Sequence, residues 1–123
     1  MARTDASKEN IRSTIATRFG YDMERTVESI RPSCGFNESC QGTVPEAIIA
    51  FLDPTDFGSA IRLSISLGGD SDTLACITGG IAEAYYKEIP VFMVEHVMPR
   101  VPAGLRSTVI EFREKFPVTR VLE

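Results

Sequence analysis

Asp70 and Asp72 stand two residues apart, directly after Gly68-Gly69 and directly before Thr73 and a long apolar run. A glycine pair takes positive φ without strain, so the chain can turn sharply there and deliver both carboxylates side by side. With the Thr73 hydroxyl they make an all-oxygen donor set, which suits Mg²⁺, Mn²⁺ or Ca²⁺ better than Zn²⁺. The same residues also have the form of a helix N-cap, where a carboxylate is welcome at the positive end of the helix dipole. One cap needs one side chain, whereas Gly-Gly-Asp-Ser-Asp-Thr offers four polar groups in succession. That surplus favours a metal site.

Other reactive side chains are less organised. Cys34, Cys40 and Cys76 form an odd set without metal-ligand spacing, as expected of free thiols in a reducing compartment; a Cys34–Cys40 disulfide is the less favoured alternative. His96 is the single histidine. Among Met93, Val97 and Met98 it reads as a structural residue rather than a base or ligand. Tyr85 and Tyr86 read as packing residues with satisfied hydroxyls.

The stretch Leu67-Gly68-Gly69-Asp70-Ser71-Asp72-Thr73, followed by Gly79-Gly80 and Ala84-Tyr85-Tyr86, resembles the C-terminal signature of the ADP-ribosylglycohydrolase family, of the dinitrogenase reductase-activating glycohydrolase type. Upstream, Ser39-Cys40-Gln41-Gly42-Thr43-Val44-Pro45-Glu46-Ala47 resembles that family's preceding segment, so the likeness runs in family order over about residues 20–115. The resemblance implies an α-helical hydrolase that holds two Mg or Mn ions and cleaves the glycosidic bond between ADP-ribose and a protein side chain or small acceptor. It assigns Asp70, Asp72 and Thr73 to the metals, with a metal-bound water oriented by Asp70 and Asp72. It assigns Cys40, Gln41, Gly42, Thr43, Gly68 and Gly69 to the substrate pocket, and leaves the acid/base residues unknown.

The family's domain is about twice this length or more, so the resemblance is to its C-terminal part. The front-portion motifs that complete the metal shell have no counterpart here. A divalent cation wants about six oxygen ligands. The chain alone is therefore expected to bind metal weakly or not at all, with a separate N-terminal half or a homodimer partner completing the site. The alternative is a non-catalytic module that self-associates through Val44, Ile48, Phe51 and the small-residue stripe of Ala75, Gly79 and Ala82.

Composition sets outer bounds. The chain has 123 residues, 43% hydrophobic and 24% charged, with net charge −4; this describes one folded domain spanning 1–123 and argues against a nucleic-acid surface. No apolar run reaches membrane-spanning length, and the N-terminus lacks a signal-peptide core, so a cytoplasmic protein without membrane contact is expected.

The elements that must position the carboxylates are helices. Ile11, Ile15 and Phe19 recur at steps of four between Ser7 as cap and Gly20 as stop, and a short helix follows from Met23 to Ile30. Thr43 and Glu46 read as a capping box for an all-apolar, buried helix that ends at Asp53-Pro54. Thr55-Asp56 caps the next helix, which runs to Gly68. The helix from Asp72 to Lys87, expected to be central and most buried, carries Leu74, Ile77, Ile81 and Tyr85 on one stripe. A short helix runs from Val91 to Met98, then one with Leu105, Val109, Phe112 and Phe116 on one face, and a loose tail from Pro117. No segment alternates as a strand does, so the class is all-α, a bundle of about five to seven helices forming the C-terminal part of the ADP-ribosylglycohydrolase fold.

Overall fold

The run Ala47-Ile48-Ile49-Ala50-Phe51-Leu52 is apolar on every face, and every one of its residues is buried, with Phe51 at 0% exposure. It forms the second half of α3 (Cys40–Leu52), the helix around which α1 (Lys8–Phe19), α2 (Val27–Ile30), α4 (Phe57–Ser66) and α5 (Ser71–Tyr86) assemble. Beyond them lie β1 (Glu88–Pro90), α6 (Val91–Val97), a 3₁₀ turn at Met98–Arg100, α7 (Ala103–Lys115) and β2 (Arg120–Leu122). This computed structural model describes residues 2, 4, 6–117 and 120–122. The all-α class and the helix count hold.

Local chemistry sets the helix ends. Ser7 Oγ accepts the Asn10 N–H at 3.2 Å, and α1 stops at Gly20 in the left-handed region with φ 69°. The second helix starts later than its apolar spacing suggested, because Thr26 and Ser29 close a reciprocal capping box. Asp56 caps α4 as expected, its carboxylate accepting the Ser59 N–H at 2.8 Å. The cap of α3 is Ser39, which accepts the Gly42 N–H at 3.1 Å, and not Thr43. The Thr43–Glu46 box does not form: the Thr43 hydroxyl donates to the Asn37 carbonyl at 2.8 Å. Pro45 therefore lies inside the helix; the carbonyl four residues back, which lacks its usual N–H partner, belongs to exposed Gln41.

α3 and α5 run parallel. Gly35, just before α3, touches Gly69, just before α5; midway, the buried Thr78 hydroxyl donates to the Ala47 carbonyl at 2.9 Å; at the far end Phe51 meets Tyr85 edge-on at 5.2 Å. α4 returns between them, and Ile61 fills the space beside Gly79, its Cδ1 lying 3.1 Å from where a Cβ would stand. That close approach explains the glycine.

Three expectations need correction. α3, not α5, is the most buried helix, since α5 buries only Leu74, Thr78, Gly79 and Ala82. Ile48, Phe51, Gly79 and Ala82 are enclosed within the chain, so that surface is not free for self-association. The structure also holds a minimal sheet: β1 pairs parallel with β2, Glu88 opposite Arg120 and Ile89 opposite Val121. Strands of three residues are too short to show alternation, and they draw part of the expected loose tail into order. Residues 118, 119 and 123 of that tail lie outside the described residues.

Candidate functional site

Leu67 closes α4, and two consecutive left-handed residues, Gly68 at φ 80° and Gly69 at φ 62°, swing the chain into α5. Gly69 is required twice over. A side chain there would be strained by its φ, and its Cβ would fall 2.6 Å from the Gly35 carbonyl oxygen. The glycine pair thus clamps the 34–39 loop against the start of α5, and because α3 and α5 are parallel, both helix N-termini open at the same end of the bundle.

Asp70 takes the N-cap position of α5, its carbonyl accepting the Leu74 N–H at 3.0 Å, yet its side chain makes no capping bond. The Asp70 carboxyl beside it is the main reason Asp72 lies below the usual carboxylate range; the Thr73 N–H, which donates to Asp72 Oδ1 at 3.1 Å, adds to it. Asp72 and Thr73 are exposed and Asp70 half-buried. Two carboxyls in contact repel when both are ionised, and either a shared proton or a divalent cation relieves that repulsion. Among the described residues no cluster of three or more His, Cys, Asp or Glu forms a metal site. Asp70, Asp72 and Thr73 bring together two carboxyls and one hydroxyl in sequence at the start of α5.

The residues assigned to the substrate pocket lie at this same end and divide in two. Cys40 and Gln41 are exposed on the first turn of α3, and Gly68 and Gly69 form the turn facing them across the 34–39 loop. Gly42 and Thr43 are committed internally: the Asn37 side chain occupies the space a Gly42 Cβ would need, and Thr43 is buried on the Asn37 carbonyl. Asn37 is the organiser that sequence reasoning missed. Its Oδ1 accepts both the N–H and the hydroxyl of Ser39 at 2.8 Å, an Asx turn whose only signal is an Asn two residues before a Ser.

Glu46, freed from capping, faces Cys34 and Arg25. Cys34 Sγ donates to Glu46 Oε2 at 3.2 Å, while Arg25 Nη1 lies 3.9 Å from Oε1. Burial first, then the Glu46 hydrogen bond and charge, pushes the Cys34 thiol up to about 11, which keeps it protonated and a poor nucleophile. All three cysteines are free thiols. His96 is exposed rather than packed in a core. It borders an apolar groove of about 690 Å³ between α4, α6 and α7, lined by Phe57, Ile61, Met93, Val109 and Phe112, far along the chain from the carboxylates.

The ADP-ribosylglycohydrolase family profile matches residues 2–117, extending the likeness back through α1. ADP-ribosylhydrolase ARH3 of Bos taurus is 35% identical over 99 residues, covering 69% of this chain and 27% of that protein. The ARH3 proteins of Homo sapiens and Mus musculus are 40% identical over 72 residues and 47% identical over 55, covering 20% and 15% of their lengths. The chain spans about a quarter or less of these curated relatives. No solved structure matches.

Proposed function

The chain belongs to the ADP-ribosylglycohydrolase family, and from that premise we propose that it supplies one side of a hydrolytic centre that cleaves the glycosidic bond between ADP-ribose and a protein or small-molecule acceptor. The carrying observation is the placement of Asp70 beside Asp72 at the mouth of α5, with no capping bond to occupy the Asp70 side chain. A fold indifferent to metal would use Asp70 to cap the helix, as α4 uses Asp56.

In this reading Asp70, Asp72 and Thr73 are the chain's ligands to Mg or Mn, and the two carboxylates also orient the attacking water. A divalent cation bound there would grip ribose hydroxyls and acidify water as positive charge develops at the anomeric carbon. The turn at Gly68-Gly69 lets substrate approach the backbone without meeting a side chain, and Cys40 and Gln41 border the ADP-ribose from α3, whose N-terminal dipole favours its phosphates. Gly42 and Thr43 shape that border from within. Three side chains leave about half of one octahedral shell to other donors. A separate N-terminal half carrying the family's remaining motifs is the source of choice.

Isothermal titration with Mn²⁺ and an ADP-ribose release assay on the purified chain are the tests. Weak or absent binding and no turnover are expected, with both appearing on addition of a polypeptide carrying the family's front portion and both lost with Asp70→Ala or Asp72→Ala. Tight binding of two ions by the chain alone would overturn the shared-site reading. A second reading, a non-catalytic module that self-associates, draws on the apolar face of α6 and α7, where Phe92 is 59% and Leu105 62% exposed. A dimer by light scattering, with no response to metal or front portion, would favour it.

A further inference from the structure

Opposite the carboxylates, the last turn of α5 and the end of α3 build a second polar site, which nothing above uses. Tyr85 and Tyr86 are neighbours on α5 and diverge around the helix, standing edge to face at 5.2 Å and 87°. Phe51 closes the third side, 5.2 Å from Tyr85 and 6.2 Å from Tyr86. Into this cup α1 projects Lys8, whose ammonium nitrogen lies 5.3 Å, 5.9 Å and 5.2 Å from the ring centres of Phe51, Tyr85 and Tyr86. All three are within cation–π reach. The ammonium also donates to the Leu52 carbonyl at 3.1 Å and to the Pro54 carbonyl, while the Tyr86 hydroxyl donates to the same Pro54 oxygen at 2.6 Å. These carbonyls sit at the C-terminus of α3, where the helix dipole is negative and favours a cation.

We propose that Phe51, Tyr85, Tyr86 and the carbonyls of Leu52 and Pro54 form a binding site for a primary alkylammonium group, filled in cis by Lys8, so that α1 is a latch held shut by its own pseudo-ligand. The remaining attachment of α1 is one stripe of its surface. It buries only Ile11 fully, Ile15 and Ala16 pack half-buried against the core, and Arg12 donates to the Met23 carbonyl. Burial draws Lys8 below the ordinary lysine value, and the charge of Asp53 opposes that. The rings and carbonyls are what the ammonium receives in place of water. A lysine from another polypeptide, or a free alkylamine, offers the same group, so occupancy of the cup decides whether α1 is docked.

The test is chemical rescue of Lys8→Ala in the full chain. Its thermal midpoint should fall below that of the unsubstituted chain and rise saturably towards it with n-butylammonium chloride, but not with sodium chloride or n-butanol at equal concentration; the unsubstituted chain, its site filled, should not respond. Equal rescue by butanol would reduce the site to an apolar cavity, and no rescue of a folded variant would overturn the proposal. Should Lys8→Ala fail to fold, hydrogen exchange on Tyr85→Leu decides: α1 amides should exchange at least tenfold faster relative to α3 amides. An unchanged ratio would overturn the latch.

Discussion

The two ends of α5, about 24 Å apart over its 16 residues, are built on opposite rules. At the C-terminal end the Tyr86 hydroxyl is held by Pro54, Lys8 by two carbonyls, and the rings lie against Phe51. At the N-terminal end the glycines are left-handed, Asp70 declines its cap, and two carboxyls face each other near solvent. The first end is tied into the fold, whereas the second leaves polar side chains exposed.

The strongest test of the contrast is Phe51→Ala. It removes the ring on which Tyr85, Tyr86 and Lys8 converge, at 0% exposure, and should cost about 3–5 kcal/mol in urea unfolding. A loss below about 1 kcal/mol would mean the aromatic end is not the fold's anchor. Next in size is Tyr86→Phe, which leaves the ring but removes one of the two donors to the Pro54 carbonyl, Lys8 keeping the other, and should cost about 1 kcal/mol. It carries a pH signature. The Tyr86 phenol is pushed up to about 12, chiefly by burial, then by Tyr85 and the charge of Asp56. A folded value above the unfolded value of about 10 means the contribution is full below pH 10 and lost as pH rises towards 12. The stability gap between the native chain and Tyr86→Phe should therefore narrow across that window.

The sequence showed unequal amounts of these two ends. Several local signals were legible: Ser7 and Gly20 bounding α1, Asp56 capping α4, the apolar run of α3, and positive φ at Gly68 and Gly69. The resemblance supplied the candidate site by residue. What failed was the choice between competing caps, as at Thr26–Ser29 and Asn37–Ser39, and contacts between partners distant along the chain. Thr43 with Glu46 has the pattern of a capping box, but Asn37 orders Ser39 as the better cap and Glu46 turns to Cys34 and Arg25. The β1–β2 pairing joins segments some 32 residues apart, and the Lys8 cup joins segments 44 and 46 apart; no periodicity marks either. The Val44–Phe51 face looked available for association because the sequence does not say which helices cover α3.

A pair of caps separates the two kinds of helix start. Asp56→Ala removes an acceptor from the Ser59 N–H and hydroxyl at 2.8 Å and 2.7 Å and should cost about 1 kcal/mol. Asp70→Ala is the matching change at α5 and should do almost nothing to the fold, less than about 0.5 kcal/mol in metal-free buffer. The reason is geometric: Asp70 makes no side-chain capping bond. With Asp70 gone, Asp72 loses the main cause of its lowered pKa and should titrate nearer the ordinary carboxylate value, which carboxyl-carbon NMR reads directly. The sign follows: a depressed folded value contributes stability above the unfolded pKa and loses it as pH falls through the folded one, so the acid limb of the unfolding profile should move slightly upward in pH. A cost above about 1 kcal/mol for Asp70→Ala would make it a structural cap like Asp56. The two ends of α5 would then follow one rule, and the observation that carries the metal reading would be gone.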